Sequence, residues 1–360
     1  MNFVREENRI FKSSLLKSFE DNLNKSQFIL GSDVAKLEKK LCFYTKSKNC
    51  ITTSSGTDAL LLSLMALDIK PGDEIITTPF TWISNVEVVK LLKANVIYAD
   101  IDEKTFNIDI ESVIKKISKK TKAIIAVSLF GQCANLVNLK NICKKHKISL
   151  IEDAAQSFGA KIKNLNSCNI ADISCTSFFP TKILGSLGDG GACFTNNDRI
   201  SKKIRMLRNH GKDLNGQFRL IGINGRLDTI QASILIIKLK KIDFLINQRK
   251  KAAKYYDEEL SKISNIVKIP HIEDNFSSVY SQYTIKVKKK RDQLFKYLKS
   301  KNIDVKIFYK PIYRNNAYKE KILCEVTERV SKKVLSIPIS ATITKKFQLH
   351  IIKSIISFYE

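Results

Sequence analysis

The sequence predicts an α/β fold, with a large domain on a mainly parallel sheet followed by a smaller C-terminal α+β domain. Three observations carry that reading. Five short β-rich runs between residues 50 and 152 are separated by helix-like segments at 58–67, 83–93, 110–117 and 136–147, the pattern of successive βαβ units. The alternation stops near residue 198. Residues 263–360 then form a unit of their own, with a strand at 281–287 and helices at 292–302 and 344–358. The expected division is a large domain over 1–240 and a small one over 241–360.

In chain order, 33–47 reads as an amphipathic helix opened by Ser32 and Asp33 as capping residues. The β-rich runs fall at 50–53, 74–78, 96–99, 123–128 and 149–152, with two more at 173–179 and 192–195. A helix is expected at 198–209. Residues 211–225 are a loop rich in Gly, Asn and basic side chains. From 228 to 260 there is no Gly or Pro and the apolar residues keep a helical period, so one or two long helices are expected. Ligands of such sheets bind beyond the carboxyl ends of the strands, which directs attention to the residues just after each run.

Composition narrows the function. The chain has 360 residues, room for one large or two ordinary domains of ~100–200 residues each. A hydrophobic fraction of 44% with 27% charged residues excludes a disordered or fibrous chain. The 62 basic and 35 acidic residues leave a net charge of +27, which raises the question of a polyanionic partner. The excess is mostly Lys in short solvated runs (Lys119-Lys120, Lys144-Lys145, Lys202-Lys203), in a chain also rich in Ile and Asn. That fits an AT-rich coding composition better than a binding surface, and no nucleic-acid partner is expected. No run of about 18 apolar residues is present to cross a membrane. Arg5, Glu6, Glu7 and Arg9 occupy the place where a signal peptide needs its apolar stretch. The eight cysteines show no CxxC pair and no metal-ligand spacing, and Cys42, Cys175 and Cys193 sit in strand-like apolar contexts. A reduced, cytoplasmic protein without a metal is expected.

Four segments carry candidate chemistry. Thr52 to Asp58 (TTSSGTD) is a hydroxyl-rich turn between a strand and a helix, suited either to plain N-capping or to cradling a phosphate on free N–H groups at the positive end of the helix dipole. Asp153 follows an apolar strand in IEDAAQS, where a carboxylate caps a helix or meets a ligand. Lys182 lies between a buried strand and the glycine-rich stretch 185–191, with Phe178, Phe179 and Ile183 around it. A buried Lys has a depressed pKa and can act as an amine nucleophile on a carbonyl. Trp82, the single Trp, follows another strand end and is either core or a stacking plate for a flat ring. A phosphate cradle, a carboxylate, an aromatic plate and a buried Lys are together the parts that pyridoxal phosphate needs.

The stretches SGTDALLLSLMAL, GDEIITTPFTWIS, IEDAAQSFGA, SFFPTKILGSLGDGGACFTN and GINGRLDTIQA resemble, in order, those of the DegT/DnrJ/EryC1/StrS sugar aminotransferases. The resemblance runs from about Leu30 to the C-terminus. It implies a pyridoxal-phosphate-dependent transferase of fold type I, the aspartate-aminotransferase fold. It further implies that Lys182 holds the cofactor covalently and shuttles the proton, that Asp153 pairs the pyridinium nitrogen, that Gln156 contacts the 3′-oxygen and that Trp82 stacks on the ring. Gly56, Thr57 and Ser177 would bind the phosphate. Asn224 would reach the phosphate of the neighbouring subunit in a homodimer with shared active sites, with Arg226 nearby or structural.

Within the family, VSLFGQCANL, SCNIADISCTSFFPTK, LGDGGA, RNHGKD and SVYSQYTIKV resemble the subgroup acting on UDP-2-acetamido-2-deoxy-3-oxo-D-glucuronate in O-antigen synthesis, with L-glutamate as donor. One segment departs from the family. Related enzymes often carry a His before the Tyr that faces the substrate, and this chain reads Ile307-Phe308-Tyr309-Lys310-Pro311. Tyr309 and Lys310 are therefore substrate-contact candidates, and a 3-keto or 4-keto 6-deoxy sugar nucleotide is the alternative substrate. Lys182 stands where related sugar dehydratases place a His. A non-catalytic regulator on this fold would be expected to lose Lys182 or Asp153.

Overall fold

The computed structural model describes residues 3–360. Its centre is a sheet of β1 (Asn49–Thr53), β2 (Glu74–Thr77), β3 (Asn95–Tyr98), β4 (Thr121–Val127) and β5 (Ser149–Asp153), joined, past a hairpin of β6 (Lys161–Ile162) and β7 (Leu165–Asn166), by β8 (Ile173–Ser177) and β9 (Gly191–Thr195). The spatial order is β1-β9-β8-β5-β4-β2-β3. β9 is antiparallel to both β8 and β1, and every other neighbouring pair is parallel. Six strands therefore end on one edge of the sheet. Each predicted β run is a strand; the run expected over 173–179 stops at Ser177, because the chain turns at Pro180.

The helices are α1 (Phe3–Arg9), α2 (Lys12–Lys25), α3 (Ser32–Thr45), α4 (Gly56–Ala66), α5 (Ser84–Leu91), α6 (Ile110–Lys116), α7 (Leu136–His146), α8 (Asp198–Leu207), α9 (Thr229–Leu239) and α10 (Ile242–Leu260). Successive strand residues point to opposite faces, so Ile124 and Leu150 pack under α3, α7 and α9, while Ile125 and Ile151 pack under α4, α5 and α8. A sheet buried on both faces needs near-continuous apolar strands, which is why these runs were legible. The stretch 228–260 is two helices, broken at Lys240-Lys241.

The first half of α10 packs Ile242 and Ile246 into the large core, and its second half packs Ala253, Tyr256 and Leu260 into another. That second core is completed by β10 (Val267–Lys268), β12 (Tyr283–Val287), α11 (Arg291–Ser300), β13 (Val334–Ile337) and α13 (Lys345–Tyr359), while β11 (Phe276–Ser277) pairs with β6 and α12 (Glu325–Ser331) packs against Asp100. The core thus changes within α10, a few residues past the expected boundary at 240.

Two local expectations are corrected. Ser32 and Asp33 lie inside the first turn of α3. The cap is Gly31, whose N–H donates to Thr229 Oγ1 at 3.0 Å and fixes the chain one residue earlier. Cys42 is on α3 and not on a strand. All eight cysteines are free thiols, and among the described residues no group of His, Cys, Asp or Glu is arranged to hold a metal. No helix among them is long and apolar enough to cross a membrane.

A buried carboxylate locks α3, β1 and α8 together. Glu38 accepts from Thr52 N at 2.9 Å, from Arg208 Nη1 at 2.7 Å and from Arg205 Nη1 at 2.7 Å, and Arg208 also donates to the Thr52 carbonyl at 2.8 Å. Burial alone would raise the Glu38 pKa, but the two guanidiniums and the Thr52 N–H outweigh it and hold the carboxyl below its ordinary value. A depressed carboxylate contributes stability above its unfolded pKa and loses it as pH falls through the folded value. Glu38→Gln, which leaves Arg208 buried and unpaired, should cost about 3 kcal/mol in denaturant unfolding at neutral pH, with the gap to the parent narrowing in acid.

Candidate active site

At the carboxyl edge of the sheet lies an open cavity of about 410 Å³, lined by Gly56 and Thr57 from α4, Trp82 and Ser84 at the start of α5, Asp153 from β5, Ser177 from β8, and Lys182 in the following turn. Gln156, Phe308 and Tyr309 close it on the side of the C-terminal unit.

The phosphate cradle forms where β1 meets α4. Ser55 caps the helix, accepting from Asp58 N at 3.0 Å, and Ser54 Oγ bonds the Asp58 carboxylate. Gly56 and Thr57 begin the first turn, where N–H groups have no intrahelical acceptor. Two glycines permit the close approach. A Cβ on Gly56 would lie 2.8 Å from Ser177 Cβ, and one on Gly191 would lie 2.4 Å from the Ser55 carbonyl oxygen. Because Gly191 pairs with both Thr53 and Ser177, it sits at the seam between β1 and β8.

Asp153 is the last residue of β5 and is buried. Its Oδ2 accepts from Asn85 Nδ2 at 2.7 Å and its Oδ1 from Ala155 N at 3.0 Å. Strand alternation sends the adjacent Glu152 the other way, among Ser128, Ser167 and Ser174, where burial pushes its pKa up despite those hydrogen bonds and the Cys168 N–H. One carboxylate thus faces the cavity and the other the core.

Lys182 is half-buried, and its ammonium forms no hydrogen bond or ion pair among the described residues. Burial lowers its pKa, with the Asp153 charge opposing. Gln156 Oε1 accepts from Phe130 N at 2.9 Å, so its NH2 end points to the cavity side and donates to Tyr309 Oη at 2.9 Å. Tyr309 is fixed by aromatic packing, parallel to Phe130 at 6.3 Å and edge-on to Phe80 at 6.2 Å. Trp82 is 61% exposed at the mouth, a ring with a free face rather than a core residue.

Eight of the residues named from sequence line this one cavity: Gly56, Thr57, Trp82, Asp153, Gln156, Ser177, Lys182 and Tyr309. Three do not. Asn224 is exposed and bridges Asn209 through its backbone. Arg226 donates Nη1 to Asn209 Oδ1 at 2.7 Å, its Nε buried without a partner. Lys310 is exposed and turned from the cavity wall, because its neighbour Tyr309 takes the inward position.

The sequence matches the DegT/DnrJ/EryC1/StrS aminotransferase family over residues 10–356. The chain belongs to that family. It is 42% identical over 88% of its length, and 88% of the other chain, to a UDP-2-acetamido-2-deoxy-3-oxo-D-glucuronate aminotransferase of Pseudomonas aeruginosa. It is 36% identical over 99% of its length, and 97% of the other's, to a pleiotropic regulatory protein of Geobacillus stearothermophilus. Among solved structures it is similar to an NtdA of Bacillus subtilis with the cofactor PMP bound, at a TM-score of 0.87 and 27% identity over 98% of this chain and 83% of that one.

As a member of the DegT/DnrJ/EryC1/StrS family, the chain is a pyridoxal-phosphate-dependent aminotransferase with the aspartate-aminotransferase fold. The residues fit that cofactor: the Gly56 and Gly191 seam leaves a cradle that a Cβ would fill, and Lys182 presents an amine with no partner.

Sequence reading passed over Asn85. The first turn of α5 reads Ser84-Asn85-Val86-Glu87, where one more polar residue does not stand out, and only the fold brings Asn85 to Asp153, 68 residues along the chain. Its Oδ1 is buried without a partner, so its orientation is set by the donor side alone. Replacing it by Ala removes a hydrogen bond to a charged group, worth about 1.5–3 kcal/mol. Asn85→Ala should therefore weaken pyridoxal phosphate binding at least about tenfold in a spectrophotometric titration, with the fold retained by circular dichroism.

Proposed function

We propose that the chain transfers the amino group of L-glutamate to the C3 ketone of UDP-2-acetamido-2-deoxy-3-oxo-D-glucuronate, for a surface polysaccharide such as the lipopolysaccharide O-antigen, and that it works in the cytoplasm as a homodimer. The observation that carries the reaction class is an unpaired Lys182 amine in the same cavity as a fixed Asp153 carboxylate. The sugar rests on the 42% identity to the Pseudomonas enzyme.

When bound, pyridoxal phosphate supplies a carbonyl that accepts an amine and a ring that takes up electrons from Cα. This chain's residues do the rest. Asp153, oriented by Asn85 and the Ala155 N–H, would pair with the ring nitrogen. Lys182, its pKa lowered by burial, offers a free base that takes a proton from Cα and returns it. Gln156 presents its NH2 donor to the 3′-oxygen, Gly56, Thr57 and Ser177 hold the phosphate, and Trp82 covers the ring. Asn224 reaches across the dimer to the neighbouring subunit's phosphate.

One observation favours the alternative of a keto 6-deoxy sugar nucleotide. Among the residues lining the cavity Lys182 is the single cation, and Phe308 adds an apolar wall, so a uronate carboxylate needs a cation from elsewhere. In the first reading Arg226 or Lys310, neither of which lines the cavity of this one chain, has to turn toward the sugar to supply it.

Adding L-glutamate to the purified yellow protein should bleach the visible band to that of the pyridoxamine form. Lys182→Ala should fold, bind the cofactor without covalent attachment and show no turnover. Retained turnover in that variant would sink the proposal, and a screen of keto sugar nucleotides then separates the two substrates. Mixing inactive Lys182→Ala with inactive Asn224→Asp should restore about a quarter of the sites if each is shared between two chains, and none if each site is complete within one.

A further inference from the structure

Behind the turn that carries Lys182 stands a second buried lysine with no place in the chemistry above. Lys238, at the end of α9, is 7% exposed, and its Nζ donates to the Gly185 carbonyl at 2.7 Å. A small cleft on that side is lined by Lys182, Gly185, Lys238 and, from α1, Glu7. The turn is tightly folded: Lys182 N donates to the Phe179 carbonyl at 2.8 Å, Ser186 N to the Phe178 carbonyl at 2.8 Å, and a Cβ on Gly185 would lie 2.5 Å from the Pro180 oxygen. The Gly185 carbonyl is therefore the handle by which this turn is held from the side opposite the cavity.

We propose that Lys238 is a positioning residue for Lys182, fixing the 180–185 turn through Gly185 so that the Lys182 amine is presented to the cofactor's carbonyl. This rests on the reading of Lys182 as the residue that holds the cofactor. A buried carbonyl needs a donor, but a neutral one would suffice for that. Lys238 instead carries an amine that burial pushes down to about 8, with Glu7 opposing. Glu7, Lys182 and, beyond Glu7, Arg249 are the titratable or charged groups facing it. Glu7 in turn accepts from Arg249 Nη2 at 3.0 Å and from Ala341 N at 3.1 Å, so the carboxylate that shares the cleft with Gly185 and Lys238 is fixed from α10 and from the C-terminal unit.

The test is pyridoxal phosphate binding to four full-length apo proteins: the parent, Lys182→Ala, Lys238→Met and the double variant. Covalent attachment tightens binding only when Lys182 is present and well placed. Lys238→Met is expected to raise the dissociation constant about tenfold in the Lys182 background and less than about twofold in the Lys182→Ala background, with slower borohydride fixation of the cofactor on Lys182. Equal weakening in both backgrounds means a general structural role, and no weakening in either means no role; both overturn the proposal. Should Lys238→Met fail to fold, Glu7→Gln carries the test, with an expected loss of about threefold confined to the Lys182 background. A parent protein in which borohydride fixes no cofactor would instead overturn the reading of Lys182 and leave the turn's geometry unexplained.

Discussion

An amine and a carboxylate share one cavity and do not pair, and the site is organised around that constraint. Asp153 has both oxygens occupied, by Asn85 and by the Ala155 N–H, and Lys182 is left without a partner. Had the two closed on each other, the ion pair would hold the lysine protonated and unreactive. Burial works in the opposite direction, since desolvation favours the neutral amine. Asp153 is thus free to meet a cation other than Lys182, and Lys182 is free to meet a carbonyl.

The sheet makes this separation possible. Six strands end on the same edge, so residues from β1, β5 and β8 converge although they are distant in sequence. The reversed strand β9 starts at Gly191, and the absence of a side chain there lets the first turn of α4 come down onto the seam. Rigidity below the edge comes from Glu38 and its two arginines, which fix β1 to helices on both faces. A loosely held β1 would move the phosphate cradle relative to Lys182, and positioning by about 1 Å is what such chemistry depends on.

The C-terminal unit contributes aromatic surface more than charge. Tyr309 is clamped against Phe80 and Phe130 and meets Gln156. The same unit also holds Glu7, through Arg249 and the Ala341 N–H, and Glu7 lines the cleft behind the Lys182 turn beside Lys238. The net charge of +27 has little to do with either contact. Where both partners of an ion pair are exposed, as in Lys48–Asp198, Lys254–Glu258 and Lys299–Asp304, the pair contributes about 0–1 kcal/mol.

The sequence by itself determined the fold class, because a sheet buried on both faces demands apolar runs that alternate with amphipathic helices, and that pattern is local. It also supplied Lys182, Asp153 and the TTSSGTD turn as chemistry out of place at strand ends. Tertiary structure decided what those residues face. Glu152 and Asp153 are neighbours of the same kind, and only the pleat of β5 sends one to the core and the other to the cavity. Asn85, Phe130 and Lys238 carried no signal strong enough to single them out, because an Asn, a Phe or a Lys acquires its role from a contact made far along the chain. Arg226 and Lys310 show the converse: basic residues in suggestive motifs that the fold turns toward Asn209 or solvent. Local chemistry can be read from a string of residues, whereas partnership is set by packing between segments that the string holds apart.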